Sequence, residues 1–177
     1  MSQLKVNSIV PAGGLPSGAN GGIIQVVQTA KTDTASTTSN SLSDLMTATI
    51  TPSSNSNKIL LLCDLKLGAS SNSPDPQINF YRNSTQIYLG DTDGNRDRTM
   101  YGSDEFGTQS SIQYVVRCVQ GHFLDSPATT SAITYKIQWR IAQSSNGTLY
   151  LNRTGRDENT YHYARTASSF TLYEVSA

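Results

Sequence analysis

Residues 132–141 read AITYKIQWRI. Ile133, Tyr135, Ile137, Trp139 and Ile141 alternate with Thr134, Lys136, Gln138 and Arg140, a period of two that places every large apolar side chain on one face of a strand. The stretch KILLLCDLKLG (58–68) repeats the pattern, with Ile59, Leu61, Cys63, Leu65 and Leu67 in one row and Asp64 and Lys66 in the other. In SIQYVVRCVQGHFL (111–124), Ile112, Tyr114, Val116 and Cys118 form a row against Gln113 and Arg117. Val115, Val119 and Phe123 make its second face only partly polar, as expected of a strand covered on both sides. Shorter β-rich runs at Ile23–Thr29, Leu45–Thr51, Gln77–Tyr81, Gln86–Gly90, Thr148–Asn152 and Ser169–Val175 are separated by TPSSNSN, SSNSPDP, DTDGN and QSSNGT. That makes about nine strands joined by turn signals. Ser41-x-x-Asp44 imitates a helix capping box, but Thr47, Thr49 and Ile50 follow at once and favour a strand. The pattern predicts an all-β protein, an antiparallel jelly-roll-like β-sandwich with a short extended N-terminal arm.

Composition limits what such a chain can do. Ser, Thr, Asn and Gly number 69 of 177 residues against 64 of the apolar set, so the core is thin and burial against further copies is expected to supplement it. Thirteen basic residues balance thirteen acidic ones. Without a Lys/Arg surplus there is no footprint for nucleic acid and no polybasic segment for a membrane surface. The longest apolar run, Ile59–Cys63, is far too short to span a bilayer, and MSQLKVNSIVPAGG lacks the apolar stretch of a signal peptide, so synthesis in the cytoplasm is expected. Cys63 and Cys118 show neither a disulfide framework nor zinc spacing and read as core residues. Trp139, on the apolar row of its strand, reads as core too. The sequons at Asn83, Asn146 and Asn152 read as accidents of a Ser/Thr-rich composition.

The first 22 residues, MSQLKVNSIVPAGGLPSGANGG, differ from the rest. A short alternating unit with Leu4, Val6 and Ile9 runs into a Gly/Pro-rich tether. Residues 1–22 are therefore expected to form an arm, and 23–177 the sandwich. The arm has too little apolar area to fold alone, so it either joins another sheet or is a disordered terminus.

The opening LKVNSIVPAGG, the segment TITPSSNSNKILL, the run YKIQWR, the hairpin-like GTLYLNR and the ending SSFTLYEVSA resemble small tail-fibre or virion structural proteins of tailed phages, of the marine and cyanobacterial type. The resemblance spans most of the chain, with the TPSSxSNKI loop and the aromatic-Glu terminal strand its clearest motifs. It implies a homotrimeric jelly roll located in the virion, attached through a segment containing Leu4, Lys5, Val6 and Ile9, with Ser168 to Val175 as the terminal strand. Other tail or capsid proteins and a host cell-surface glycan are its implied partners, and no catalytic motif comes with the family. Absence of a shaft departs from long fibres and fits a short fibre or fibre tip; a head or collar decoration without receptor binding is the alternative. A polysaccharide depolymerase is disfavoured by the missing β-helix repeat and carboxylate pair.

The residues able to carry chemistry agree. His122 and His162 lie in no HxH or HxxxH spacing, so neither a metal nor a cofactor is expected. His122 reads as a rim residue. His162 sits in RDENTYHYAR, where Tyr161, His162 and Tyr163 with Arg156 and Arg165 suit stacking on sugar rings or a partner chain. The competing reading is a strand whose Tyr161 and Tyr163 pack within a trimer. In DTDGNRDRTMYGSDE, Asp91, Asp93 and Asn95 occupy calcium-loop offsets, but Arg96 replaces the required glycine and Gly102 the bidentate glutamate, so Asp93-Gly94 reads as a turn. Neither Asp104-Glu105 nor Asp157-Glu158 is placed by sequence as a hydrolytic carboxylate pair. The expected receptor-binding residues are Arg96, Arg98, Tyr101, Tyr161, His162 and Tyr163, and the expected protein is not an enzyme.

Overall fold

The computed structural model describes residues 22–70, 74–102, 111–142 and 147–177. Leu4, Lys5, Val6 and Ile9 of the expected attachment arm lie outside them, as do Asp104 and Glu105. Two antiparallel sheets face each other. The first joins β1 (Ile23–Lys31), β11 (Ser168–Val175), β4 (Lys58–Ala69) and β8 (Val116–Asp125) in that order, extended by β10 (Leu149–Leu151) on β4 and β2 (Ala35–Thr37) on β10. The second runs β3 (Ser43–Ile50), β9 (Ile133–Ile141), β5 (Pro76–Arg82), with β6 (Thr85–Ile87) and β7 (Tyr101–Gly102) both paired to β5. Chain connections cross repeatedly from sheet to sheet: β2 to β3, β3 to β4, β4 to β5, β8 to β9. That order is a jelly roll, so the expected fold class holds.

Alternation builds the core. Along β9 each residue of the apolar row is buried and each of the polar row half-exposed. Ile59, Leu61, Leu65 and Leu67 on β4 are wholly buried, and Cys63 and Trp139 are buried as expected. Phe80 of β5 stacks on Phe170 of β11 at 5.9 Å, tying the sheets together. Fully burying one such side chain contributes roughly 1.5–3 kcal/mol. The buried Glu174 adds a polar clamp: its Oε1 accepts from Ser53 N (2.6 Å), Ser53 Oγ (2.7 Å) and Asn57 Nδ2 (2.6 Å), fastening the loop before β4 to the last strand.

Three expectations need correction. The long strand at 111–124 begins only at Val116, because Ile112–Tyr114 form a 3-10 turn that shifts the phase of the alternation. Ile112 is buried, but beyond the turn Val119, Gly121 and Phe123 face β4's inward residues Leu65, Cys63 and Leu61. Cys118 is consequently exposed rather than core, bonded to Asp64 and Lys66 on the outer surface. The strand expected over Gln86–Gly90 stops at Ile87. Tyr88 takes a left-handed φ of 55°, turns the chain, and its ring stacks between Phe80 (6.3 Å) and Phe123 (5.0 Å). Residues 156–165 run through turns, which removes the reading of Tyr161 and Tyr163 as one face of a strand.

Candidate functional site

The outward faces of the two sheets differ in chemistry. On the first sheet, the register aligns Val26 (β1), Tyr173 (β11), Leu60 (β4) and Leu124 (β8) in one row across four strands. Val26 is 53% exposed, Leu124 46% and neighbouring Leu62 38%; Ile23 and Ile24, at the start of β1, are exposed as well. Toward the other end the face turns polar through Gln120, Asp64, Lys66 and Cys118. Here Lys66 pairs with Asp64 at 2.5 Å, and the Cys118 thiol donates to the same carboxylate at 2.9 Å. That bond, with partial burial, raises the Cys118 pKa, while burial pushes Cys63 up to about 12. His122, beside Leu62, is an exposed mid-strand residue of this face.

The second sheet is polar outside. Thr134, Lys136, Gln138 and Arg140 of β9 alternate against its buried row, and Gln77 and Asn79 of β5 lie beside Arg140 and Gln138. The segment after β6 folds back over this face. Gln86 donates to Asn79 Oδ1 at 2.7 Å and to Arg98 O at 2.8 Å, which leaves Asn79 only 1% exposed. Between segment and sheet lies a depression of ≈ 330 Å³. Arg140 Nη2 pairs with Asp97 at 2.8 Å, and Gln77 bonds both residues. The Gln77 hydrogen bond and the Arg140 charge hold the Asp97 carboxyl below its usual range. Arg96 pairs with Asp93, whose neighbour Gly94 takes the turn conformation at φ 56°. Arg98 is fixed by a bond from Nε to Gly90 O at 2.7 Å and joins no ion pair among the described residues.

The six expected receptor-binding residues thus divide. Arg96 and Arg98 line the depression. Tyr101 is half-buried and packs against the core beside Ile78. Tyr161, His162 and Tyr163 form a separate aromatic cluster with Tyr114: the Tyr161 and His162 rings are 4.0 Å apart, Tyr163 stacks on Tyr114 at 6.2 Å, and Tyr161 is 89% exposed. Arg156 donates to the Tyr114 hydroxyl at 2.9 Å and pairs with Glu158 at 2.5 Å. Asp157 is bound by Arg153 and Arg165, so both carboxylates of that pair are committed to arginines. Sequence reading missed Gln77, Asn79, Gln86 and Arg140; the polar row of AITYKIQWRI was a signal for the last, but only pairing with β5 gathers the others beside it. Among the described residues no group of three or more His, Cys, Asp or Glu could hold a metal ion, and no helix is long and apolar enough to cross a membrane.

No family model and no curated protein matches the chain. Among solved structures, the VP2 subviral particle of infectious bursal disease virus is similar over 86% of this chain, with a TM-score of 0.46 and 13% identity. The chain spans 37% of that protein's length.

Proposed function

We propose that this chain is a non-enzymatic structural protein of a virus particle, a short trimeric fibre or fibre tip. It self-associates through the outward face of the β1-β11-β4-β8 sheet and turns the polar sheet outward. The observation that carries the reading is the contrast between those faces. One presents Ile23, Ile24 and Val26 of β1, Leu62 of β4 and Leu124 of β8 to solvent, and the other is polar on β5 and β9. Large contiguous apolar patches on a sheet surface mark association sites. The partner is a second copy of the chain: the composition leaves a thin core that gains from burial against further copies, and the exposed Ile23, Ile24, Val26, Leu62 and Leu124 supply apolar area for it. Resemblance to phage fibre proteins supports the same arrangement, with Leu4, Lys5, Val6 and Ile9 in the anchor.

Light scattering on the full chain tests it. A trimer should run at three times the 19.1 kDa of one chain, and Leu62→Asp with Leu124→Asp should give a folded monomer. Both side chains are exposed, so the substitutions cost the single chain little, within about 0.5 kcal/mol each. A wild-type monomer, or a double variant that stays trimeric, overturns the interface. Deleting residues 1–22 should leave the sandwich folded and abolish incorporation into particles; incorporation of the truncated chain would refute the anchor.

A further inference from the structure

We infer that the depression between β5, β9 and the segment after β6 binds a carboxylated sugar, a single pyranose unit bearing one negative charge, such as a uronate or sialate residue of a surface polysaccharide. The inference rests on the proposed orientation in one respect, that this face points away from the particle.

Charge comes first. Arg96, Arg98 and Arg140 supply three cations, while Asp93 neutralises Arg96 and Asp97 neutralises Arg140. Arg98 remains, held by Nε to Gly90 O, with no carboxylate partner among the described residues. One surplus guanidinium matches a monoanion, and its planar fork suits a carboxylate. A dianionic phosphate or sulfate fits worse, because Asp97 stands in the same depression and would repel the second charge.

The remaining lining points to a sugar rather than a simple carboxylate. Gln77 and Gln86, the latter braced from below by buried Asn79, carry amides and Thr99 a hydroxyl, groups that both donate and accept, as ring hydroxyls require. The amides are already ordered: Gln86 bonds Asn79 at 2.7 Å, and Gln77 is braced between Asp97 (2.9 Å) and Arg140 (2.7 Å). A preordered polar set reduces the entropy lost on binding. Leu42 and Leu89 supply apolar wall for the C–H face of a ring. The volume of ≈ 330 Å³ lies at the small end of the roughly 300–1,000 Å³ typical of ligand sites, which suits one ring.

Titration calorimetry of the full chain with trigalacturonate, its methyl ester and sialyllactose tests this, with sodium sulfate as competitor. At least one of the two acidic glycans should bind, and the uncharged ester about tenfold more weakly or worse, because it cannot form the charged fork with Arg98. Arg98→Ala, at an exposed position, should weaken acidic-glycan binding by a similar factor with unchanged melting, while Tyr161→Ala in the separate aromatic cluster should leave it intact. Four outcomes overturn the inference: neither acidic glycan binds; acid and ester bind alike; Arg98→Ala binds as the wild type does; or sulfate displaces the glycan at equal concentration, which marks a generic anion site. The trimer and its dissociation by Leu62→Asp with Leu124→Asp are read independently, so failure of this site and failure of the proposed assembly are distinguishable.

Discussion

Replacing Glu174 by alanine is expected to loosen the sandwich where its last strand meets the loop before β4. In the native protein one carboxylate oxygen accepts three hydrogen bonds, from Ser53 N at 2.6 Å, Ser53 Oγ at 2.7 Å and Asn57 Nδ2 at 2.6 Å. Glu174 and Asn57 are both buried, at 1% and 6% exposure, whereas Ser53 is exposed and can return to water. The cost is therefore dominated by the Asn57 bond and the one N–H it leaves without a partner, the other being held by Ser53 Oγ at 3.1 Å. A hydrogen bond to a charged group contributes about 1.5–3 kcal/mol, and with a smaller share from Ser53 the loss comes to roughly 2–4 kcal/mol. For a chain of this size each kcal/mol shifts the melting temperature by about 2–4 °C, so Glu174→Ala should melt roughly 5–15 °C lower at equal chain concentration. Asn57→Ala should lose much of the same energy and the double variant little more. The pH dependence has a fixed sign. Burial by itself raises the Glu174 pKa, but the bonds from Asn57 and Ser53 outweigh it and hold the folded value below the ordinary one. The carboxylate's contribution is thus present above the unfolded pKa of about 4.3 and fades as pH falls through the folded value, so the gap between wild type and variant should close in acid. Melting of Glu174→Ala within about 2 °C of wild type at pH 7, or a gap that widens in acid, would refute the clamp.

Two further predictions concern the reassigned cysteine and the buried tyrosine. A disulfide reagent at pH 8 should label Cys118 and spare Cys63 until the protein is denatured; Asp64→Asn, by removing the negative charge of the acceptor that raises the Cys118 pKa, should speed labelling, and equal rates at both thiols would contradict the exposed position. Tyr135→Phe removes the hydroxyl that donates to Asp125 at 2.6 Å while Arg82 still holds both carboxylate oxygens at 3.0 Å, so urea unfolding should register a loss of about 1–2 kcal/mol, and no change would deny the bond any net worth.

Strands whose alternation runs unbroken are legible in the residues alone. In AITYKIQWRI every second residue is apolar over the whole length, and one buried face is the only arrangement that keeps Lys136 and Arg140 hydrated; the same logic placed Ile59 to Leu67, and the turn at Asp93-Gly94 followed from glycine's tolerance of positive φ. Period-two reasoning failed where the backbone left the strand conformation. The 3-10 turn at Ile112–Tyr114 shifted the register and sent Cys118 outward, and the left-handed Tyr88 ended β6 early. Neither break leaves a local signal, because both are set by tertiary packing: Ile112 is buried beside β4, and the Tyr88 ring lies between Phe80 and Phe123. Arg96 and Arg98 were legible as candidates by charge and turn context. Their companions were not: Gln77, Asn79 and Arg140 come together only because β5 pairs with β9, and Gln86 only because β6 pairs with β5 on its other edge. The apolar stripe through Val26, Tyr173, Leu60 and Leu124 is likewise one residue from each of four strands, distributed from one end of the chain to the other. No window of sequence contains it, since pairing register, a property of the folded sheet, is what makes it a surface.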